Sequence, residues 1–88
     1  MKTAFRTSFL RDVRKIGDVR VRAQVRAAIE AVESAGALSD VPHLRKMSGG
    51  SGFYRVRVGD YRIGLAVAGD AVEFVRVLHR RDVYRFFP

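Results

Sequence analysis

The sequence predicts an α+β fold with the element order β-α-α-β-β-β. Three observations predict it: apolar residues recur at helical spacing early in the chain, apolar and polar residues alternate later, and Gly-Asp pairs separate the alternating runs. The expected architecture is a helical hairpin packed on one face of a small, mainly antiparallel sheet. At 88 residues, the chain is expected to form a single domain over residues 1–88.

The first half of the chain predicts one strand and two helices. Residues 2–6 are a short candidate strand. The segment SFLRDVRKI (8–16) predicts the first helix, with Thr7 or Ser8 as its cap and with Asp12 facing solvent. Gly17-Asp18 ends that helix and caps a second one at about 19–35. Residues 36–52 form a connector, because Pro42 and MSGGSG exclude a continuous helix.

The second half predicts a three-stranded meander over residues 53–58, 61–68 and 71–79. Its two-residue Gly-Asp loops, 59–60 and 69–70, suit type II′ turns. Alternation places Arg55, Arg57 and Arg62 on the sheet face opposite the helices. Gly64 and Ala66 share that face, so we expect a shallow, open surface there. In the tail RRDVYRFFP, a helical turn is expected to tuck Val83 and Phe86 or Phe87 against the sheet.

The last strand of the meander allows two assignments of its side chains to the sheet faces. Strict alternation puts Arg76 and Arg80 on the same side of the sheet as each other. A β-bulge would change that assignment, because one extra residue shifts every later side chain to the other face.

The charge of the chain indicates a polyanionic partner. Seventeen basic residues against nine acidic ones give a net charge of +8, and fourteen of the seventeen are arginine. Arginine presents a planar fork of donors that matches phosphate and stacks on bases, so the partner is expected to be nucleic acid or an acidic protein. The alternative is a solvated basic surface with no specific partner.

Composition also argues against several classes of protein. The absence of cysteine excludes disulfides and thiolate chemistry, and two histidines without clustered carboxylates argue against a metal site. No apolar run is long enough to span a bilayer, and no signal peptide follows Met1. We expect a cytoplasmic protein that binds no membrane, no metal ion and no small-molecule cofactor.

Two stretches resemble a known family. LRKMSGGSGFYRVRVGDYRIGL (44–65) and VEFVRVLHRRDVYR (72–85) are similar to the RelE/ParE superfamily of type II toxins, and to its ribosome-dependent mRNA endonucleases in particular. The resemblance implies a RelE-like domain of the microbial ribonuclease type. It also implies cleavage without a metal, in which the 2′-hydroxyl attacks the adjacent phosphate and leaves a 2′,3′-cyclic phosphate.

The resemblance implies the site residues as well. Positions that match the catalytic ones of such toxins are Arg55, Arg57, Arg62, Arg80 and Tyr84. Some relatives have lysine at the first two positions, but arginine stays charged, so these side chains are expected to clamp phosphate rather than to act as bases. His79 is the candidate for proton transfer, or else a strand-end residue bonded to backbone, whereas His43 is expected to be merely solvated.

The implied partners are mRNA in the ribosomal A site and a cognate antitoxin. The RNA is expected to be bound further by a second set of basic residues and by aromatic rings on which bases stack. These are Arg45, Lys46, Arg76 and Arg81, with Phe53, Tyr61 and Tyr84 as the candidate rings.

Two alternatives remain open at this stage. The ParE branch of the superfamily poisons DNA gyrase, cuts no RNA, and shares much of the YRVRVGDYR hairpin. A non-catalytic nucleic-acid-binding module is the other alternative.

Overall fold

The computed structural model describes residues 1–88 and contains five strands and three α-helices. In chain order they are β1 (Lys2–Phe5), α1 (Thr7–Lys15), α2 (Val19–Ser34), β2 (Leu44–Lys46), β3 (Phe53–Val58), β4 (Tyr61–Ala68), β5 (Ala71–His79) and α3 (Val83–Phe86). The sheet order is β1-β5-β4-β3-β2, with only the β1–β5 pair parallel. The α+β prediction is confirmed, and β2 is an additional strand within the predicted connector.

The turns of the meander follow from their glycines. Gly59 and Gly69 have φ angles of 57° and 61°, which cost a glycine little. The aspartate that follows each glycine keeps a negative φ, as a type II′ turn requires. The turns therefore fix the register at Val58↔Tyr61 and Ala68↔Ala71, as the sequence predicts.

The two main helices begin differently. Asp18 caps α2, since its carboxylate accepts bonds from the backbone N–H groups of Arg20 and Val21 at 2.8 and 3.4 Å. The predicted cap of α1 by Thr7 or Ser8 is wrong. Arg6 occupies the cap position of α1, and its side chain makes no capping hydrogen bond. The Ser8 hydroxyl instead donates to the carbonyl of Val75 at 2.6 Å.

The principal core lies between the helical hairpin and one face of the sheet. Alternate residues of β3, β4 and β5 point into it, together with the apolar stripes of α1 and α2, as the periodicity predicts. None of the helices combines the length and the apolar character needed to cross a membrane. The side chains that are almost completely buried in this core are Phe9, Val25, Val32, Ile63, Leu65, Val72, Phe74 and Val77.

A β-bulge changes the direction of side chains in β5. Leu65 pairs with Phe74 and Gly64 pairs with Arg76, so Val75 has no partner in β4. Because of the extra residue, Val75 packs in a second cluster on the opposite sheet face, while Val77 returns to the principal core. Strict alternation from Val72 to Arg80 is therefore wrong, because the bulge moves Arg76 to the sheet face opposite Phe74. Arg76 and Arg80 both follow the bulge, so they keep the same parity as each other.

The Arg76 side chain binds Asp12 of α1. Its Nε and Nη2 donate to the Asp12 carboxylate at 2.7 and 3.1 Å, and the backbone N–H of Val77 donates to the same carboxylate at 3.1 Å. The side-chain hydrogen bond with Asp12 raises the pKa of Arg76. The expectation that Asp12 faces solvent is wrong, because its side chain is only 4% exposed. An ion pair with three hydrogen bonds compensates for that burial.

Replacing Asp12 with alanine should destabilise the fold substantially. Asp12→Ala leaves a guanidinium and the Val77 N–H without their acceptor, so we expect a loss of about 3 kcal/mol in the free energy of unfolding. The low end of the usual range applies because the Arg76 side chain is 26% exposed. Chemical denaturation measures the loss. Asp70→Ala, which removes an acid that is 79% exposed, is the control and should change stability by less than about 0.5 kcal/mol. Equal losses in the two variants would contradict a structural role for the Asp12 pair.

Candidate functional site

Three arginines of the β3–β4 hairpin lie on the sheet face that is turned away from α1 and α2. We call this the arginine face. Arg55 and Arg57 alternate along β3 with Val56 and Val58, which are buried in the principal core. Arg62 pairs with Arg57 across the hairpin. The type II′ turn therefore aligns these three residues on one sheet face, as predicted.

Arg62 is held in position by the turn that precedes it. Its Nη1 donates to the carbonyl oxygens of Gly59 and Tyr61 at 2.8 and 2.9 Å. A guanidinium has five N–H donors, so these two bonds leave three donors for a ligand. Arg62 is thus an oriented anion-binding group rather than a freely rotating side chain.

Arg62 is also the electrostatic centre of the site. Its pKa is lowered by partial burial first and by the charge of Arg55 next, with smaller contributions from Arg57 and Arg80, while Tyr84 acts in the opposite direction. Arg62 is therefore close enough to Arg55, Arg57 and Arg80 to be repelled by each of them, and we call these four residues the arginine cluster. Burial and the neighbouring positive charges both lower the pKa of Arg62, and a bound anion would offset the repulsion from those charges.

Arg80 reaches the cluster from the end of β5. Its backbone N–H donates to the carbonyl of Asp60 at 2.7 Å, which ties the strand end to the β3–β4 turn. Its Nε lies 3.8 Å from the Asp60 carboxylate, with the two side chains 63% and 72% exposed. Such an exposed pair contributes at most about 1 kcal/mol, so a phosphate can readily replace the carboxylate.

The C-terminal tail brings Tyr84 to the same place. Tyr84 lies on α3 and is 62% exposed, while Val83 and Phe87 on either side are 0% and 3% exposed and anchor the tail in the second cluster. The phenol of Tyr84 is therefore presented to Arg62 while its neighbours are fixed by packing. It is the exposed tyrosine of the arginine face.

Gly64 makes room for this tail. A methyl group at Gly64 would lie 2.7 Å from Cδ2 of Phe87, closer than carbon atoms approach one another. The Phe87 ring also meets the ring of Phe53 edge-on, with their centroids 5.7 Å apart. The expectation of an open surface at Gly64 and Ala66 is wrong, because the tail fills the space that these small residues leave.

Known proteins share this sequence pattern. The sequence model of a family described as ParE toxin of type II toxin–antitoxin system, parDE, matches residues 4–84. The chain belongs to this family. It is also 37% identical over 89 residues to Toxin RelE3 of Methanocaldococcus jannaschii, and the match covers 100% of both chains. The resemblance drawn from the two hairpin and tail stretches is confirmed, and the chain is a RelE-like toxin of a type II toxin–antitoxin system.

Solved structures of toxins share the fold. The RelB–RelE antitoxin–toxin complex from Methanococcus jannaschii matches with a TM-score of 0.80 and 34% identity, over 96% of this chain and 98% of that one. The RelBE2 toxin–antitoxin complex from Mycobacterium tuberculosis matches with a TM-score of 0.71 and 24% identity, over 90% and 96% of the two chains. At that lower identity, the second likeness concerns the fold alone.

Two predicted site residues of this toxin lie away from the arginine cluster. Tyr61 and His79 pair across β4 and β5, and their rings meet edge-on with centroids 5.6 Å apart. Tyr61 packs against the principal core, so this pair lies on the helix side of the sheet. The Nδ1 of His79 accepts a bond from the backbone N–H of Arg81 at 3.2 Å. His79 is thus bonded to backbone at a strand end, which is the alternative that the sequence left open.

The four residues expected to bind additional RNA are distributed around the molecule. Arg45 pairs with Arg55 and so extends the arginine face toward the sheet edge, whereas Lys46 pairs with Tyr54 on the opposite parity. Arg76 is bound to Asp12, and Arg81 borders a surface depression with Asp12 and His79. By register, Arg45 and Arg76 both lie in the cross-strand row of Arg55, since Gly64 pairs with Arg55 and with Arg76, but Asp12 occupies the guanidinium of Arg76.

His43, which the sequence predicts to be merely solvated, is exposed but also contacts the cluster. Its Nδ1 lies 3.4 Å from Nη2 of Arg57, and its φ is +63°, a left-handed conformation that few non-glycine residues adopt. The sequence does not predict this contact, because the three-residue strand β2 is too short to show periodicity. The proximity of His43 to Arg57 arises only when β2 pairs with β3.

The largest cavity does not coincide with the arginine cluster. It has a volume of about 640 Å³, lies between α2 and β3, and includes apolar residues such as Ala28, Val41 and Val58. Of the four cluster residues, only Arg57 lines this cavity, together with the neighbouring His43. No group of three or more His, Cys, Asp or Glu residues lies close enough together to hold a metal ion.

The contact between Gly64 and Phe87 can be tested with a double-mutant cycle. Gly64→Ala should lower the free energy of unfolding by about 1–3 kcal/mol, because the added methyl group collides with the Phe87 ring. In a Phe87→Ala background the obstacle is gone, so the same change should cost little. Denaturant titration of the four proteins measures the coupling. Gly17→Ala is the control, since a methyl group there meets no atom within 4 Å. An equal cost of Gly64→Ala in both backgrounds would show that the ring does not lie over this glycine.

Proposed function

We propose that this toxin is a ribosome-dependent mRNA endonuclease, formed by one domain over residues 1–88. The observation that carries the proposal is the alignment of Arg55, Arg57 and Arg62 on one sheet face by the register of the hairpin, with Arg80 and Tyr84 close enough to act on Arg62. The reaction is attack of a nucleotide's 2′-hydroxyl on its own 3′-phosphate, which yields a 2′,3′-cyclic phosphate and a 5′-hydroxyl. This chemistry needs positive charge at the phosphate more than any other group.

The arginines supply that charge. The crowded phosphorane carries more negative charge than the phosphodiester, so donors that are already oriented stabilise it preferentially. Arg62 is such a donor, since two backbone carbonyls fix it before substrate arrives. Arg55 and Arg57 clamp the phosphate from the neighbouring strand, and Arg80 exchanges its exposed carboxylate partner for the substrate.

Tyr84 has two possible tasks in this scheme. Its phenol lies near Arg62 and is exposed, so it can donate a proton to the leaving 5′-oxygen. Its ring can also stack on an unpaired base. Both tasks require the tail to be docked, because α3 holds Tyr84 only through its buried neighbours.

The proposed partners are mRNA in the ribosomal A site and a cognate antitoxin, and the proposed location is the cytoplasm, where translation occurs. The 34% identical relative from Methanococcus jannaschii was solved as an antitoxin–toxin complex, which supports the second partner. The net charge of +8 favours an acidic antitoxin segment, since opposite charges accelerate association.

Inhibition of DNA gyrase is the second candidate function, because the matching family is the ParE toxin. A gyrase inhibitor needs an interaction surface but no oriented phosphate-binding groups. The two functions are therefore separated by whether message or DNA is broken. Purified toxin is incubated with programmed ribosomes and, separately, with gyrase and supercoiled DNA. Trapped DNA breaks without message cleavage would favour the gyrase function.

Arg62→Ala and Arg80→Ala should each cripple message cleavage. Losing one preorganised donor typically lowers the rate about 10²–10³-fold. The assay measures single-turnover cleavage on programmed ribosomes, with the message ends mapped. Arg20→Ala on the exposed side of α2 is the matched control, since it removes the same charge away from the cluster and should cleave at close to the normal rate.

Two outcomes would count against the proposal. Full activity of either cluster variant would mean that the guanidinium groups do not stabilise the transition state. A wild-type toxin that neither cuts message nor arrests growth when expressed alone would instead fit a non-catalytic nucleic-acid-binding module.

A further inference from the structure

None of the four arginines of the cluster can act as a base. Cleavage requires a group that removes the proton of the 2′-hydroxyl, and arginine stays charged throughout the physiological range. Imidazole exchanges protons near neutral pH, so the two histidines are the natural candidates. His79 is turned to the helix side of the sheet, where its Nδ1 is bonded to backbone.

His43 lies beside the cluster because of strand register. The backbone N–H of Arg57 donates to the His43 carbonyl at 3.2 Å, so the pairing of β2 with β3 continues one residue beyond Leu44. Leu44, the first residue of β2, pairs with Val56 and packs on the core side, and His43 directly precedes it opposite Arg57. His43 is exposed and therefore accessible to a ligand.

The imidazole of His43 touches the guanidinium that would hold the phosphate. Nδ1 lies 3.4 Å from Nη2 of Arg57, so Arg57 is the donor and Nδ1 presents its lone pair to the cluster. This contact is at the long end for a hydrogen bond and is exposed, so a phosphate can replace it at little cost. The left-handed φ of +63° is a second sign, because strained backbone is frequently found at functional sites.

We propose that His43 is a catalytic residue of this toxin and acts as the general base of RNA cleavage. This inference rests on the proposed endonuclease function. When Arg57 turns to the phosphate, Nδ1 is released at the position where the neighbouring 2′-hydroxyl arrives.

The proton and electron balance is complete. Nδ1 takes the 2′-hydroxyl proton, the 2′-oxygen forms a bond to phosphorus, and the bond from phosphorus to the 5′-oxygen breaks. The leaving oxygen takes a proton from the phenol of Tyr84. Proton transfer from the imidazolium to the phenolate, through solvent, restores both groups.

The test uses two substitutions that tolerate the left-handed backbone, asparagine and glycine. In single-turnover assays on programmed ribosomes, His43→Asn and His43→Gly should lower the cleavage rate about 10²–10⁴-fold while substrate binding changes little. Free imidazole should restore the His43→Gly rate at least about tenfold, because it supplies the missing base. Ser39→Ala, an exposed change in the same connector, is the control.

The outcomes separate this inference from the function on which it rests. Slow cleavage by Arg62→Ala together with normal cleavage by His43→Asn would overturn the role of His43 and leave the nuclease intact. A loss at His43 that imidazole does not restore would also overturn it, as would imidazole rescue of His79→Gly instead. A wild-type toxin that cuts no message would overturn both.

Discussion

The contact between the Phe87 ring and the backbone of Gly64 decides where the C-terminal tail lies. A side chain at position 64 would exclude the ring, so the glycine in the middle of β4 is the space into which the tail docks. Docking closes the second apolar cluster and holds α3, which is too short to persist without tertiary contacts. Tyr84 reaches Arg62 only as a consequence, so a packing interaction determines the composition of the polar site.

The arginine face brings like charges together, and the fold has to offset their repulsion. The rigid hairpin provides that offset, since Arg55, Arg57 and Arg62 belong to two strands whose other sides are buried in the principal core. Arg62 is further restrained by two backbone carbonyls. A phosphate that binds at this face is attracted by the arginines and also reduces the repulsion between them. Both effects favour its binding.

Local chemistry explains which features the sequence could predict. The two Gly-Asp turns and the alternation of β3 and β4 need only neighbouring residues, and they suffice to align Arg55, Arg57 and Arg62. The features that escaped prediction depend on distant partners. The bulge at Val75 sends Arg76 to Asp12 across more than sixty residues of chain. The docked Phe87 ring fills the space at Gly64, where the sequence predicts an open surface. The pairing of β2 with β3 brings His43 to Arg57, and β2 shows no periodic pattern from which this could be predicted.

The claim that phosphate binds at the arginine cluster is most directly tested by NMR of the arginine side chains. A short RNA with a 2′-deoxy nucleotide at the cleavage position binds without being cut, because it lacks the attacking hydroxyl. Titration of this RNA should shift the Nε–Hε signals of Arg55, Arg57, Arg62 and Arg80 and leave those of the helix residues Arg20 and Arg22 unchanged. Shifts confined to the α2 arginines would show that the nucleic acid binds on the other side of the molecule and would contradict the account.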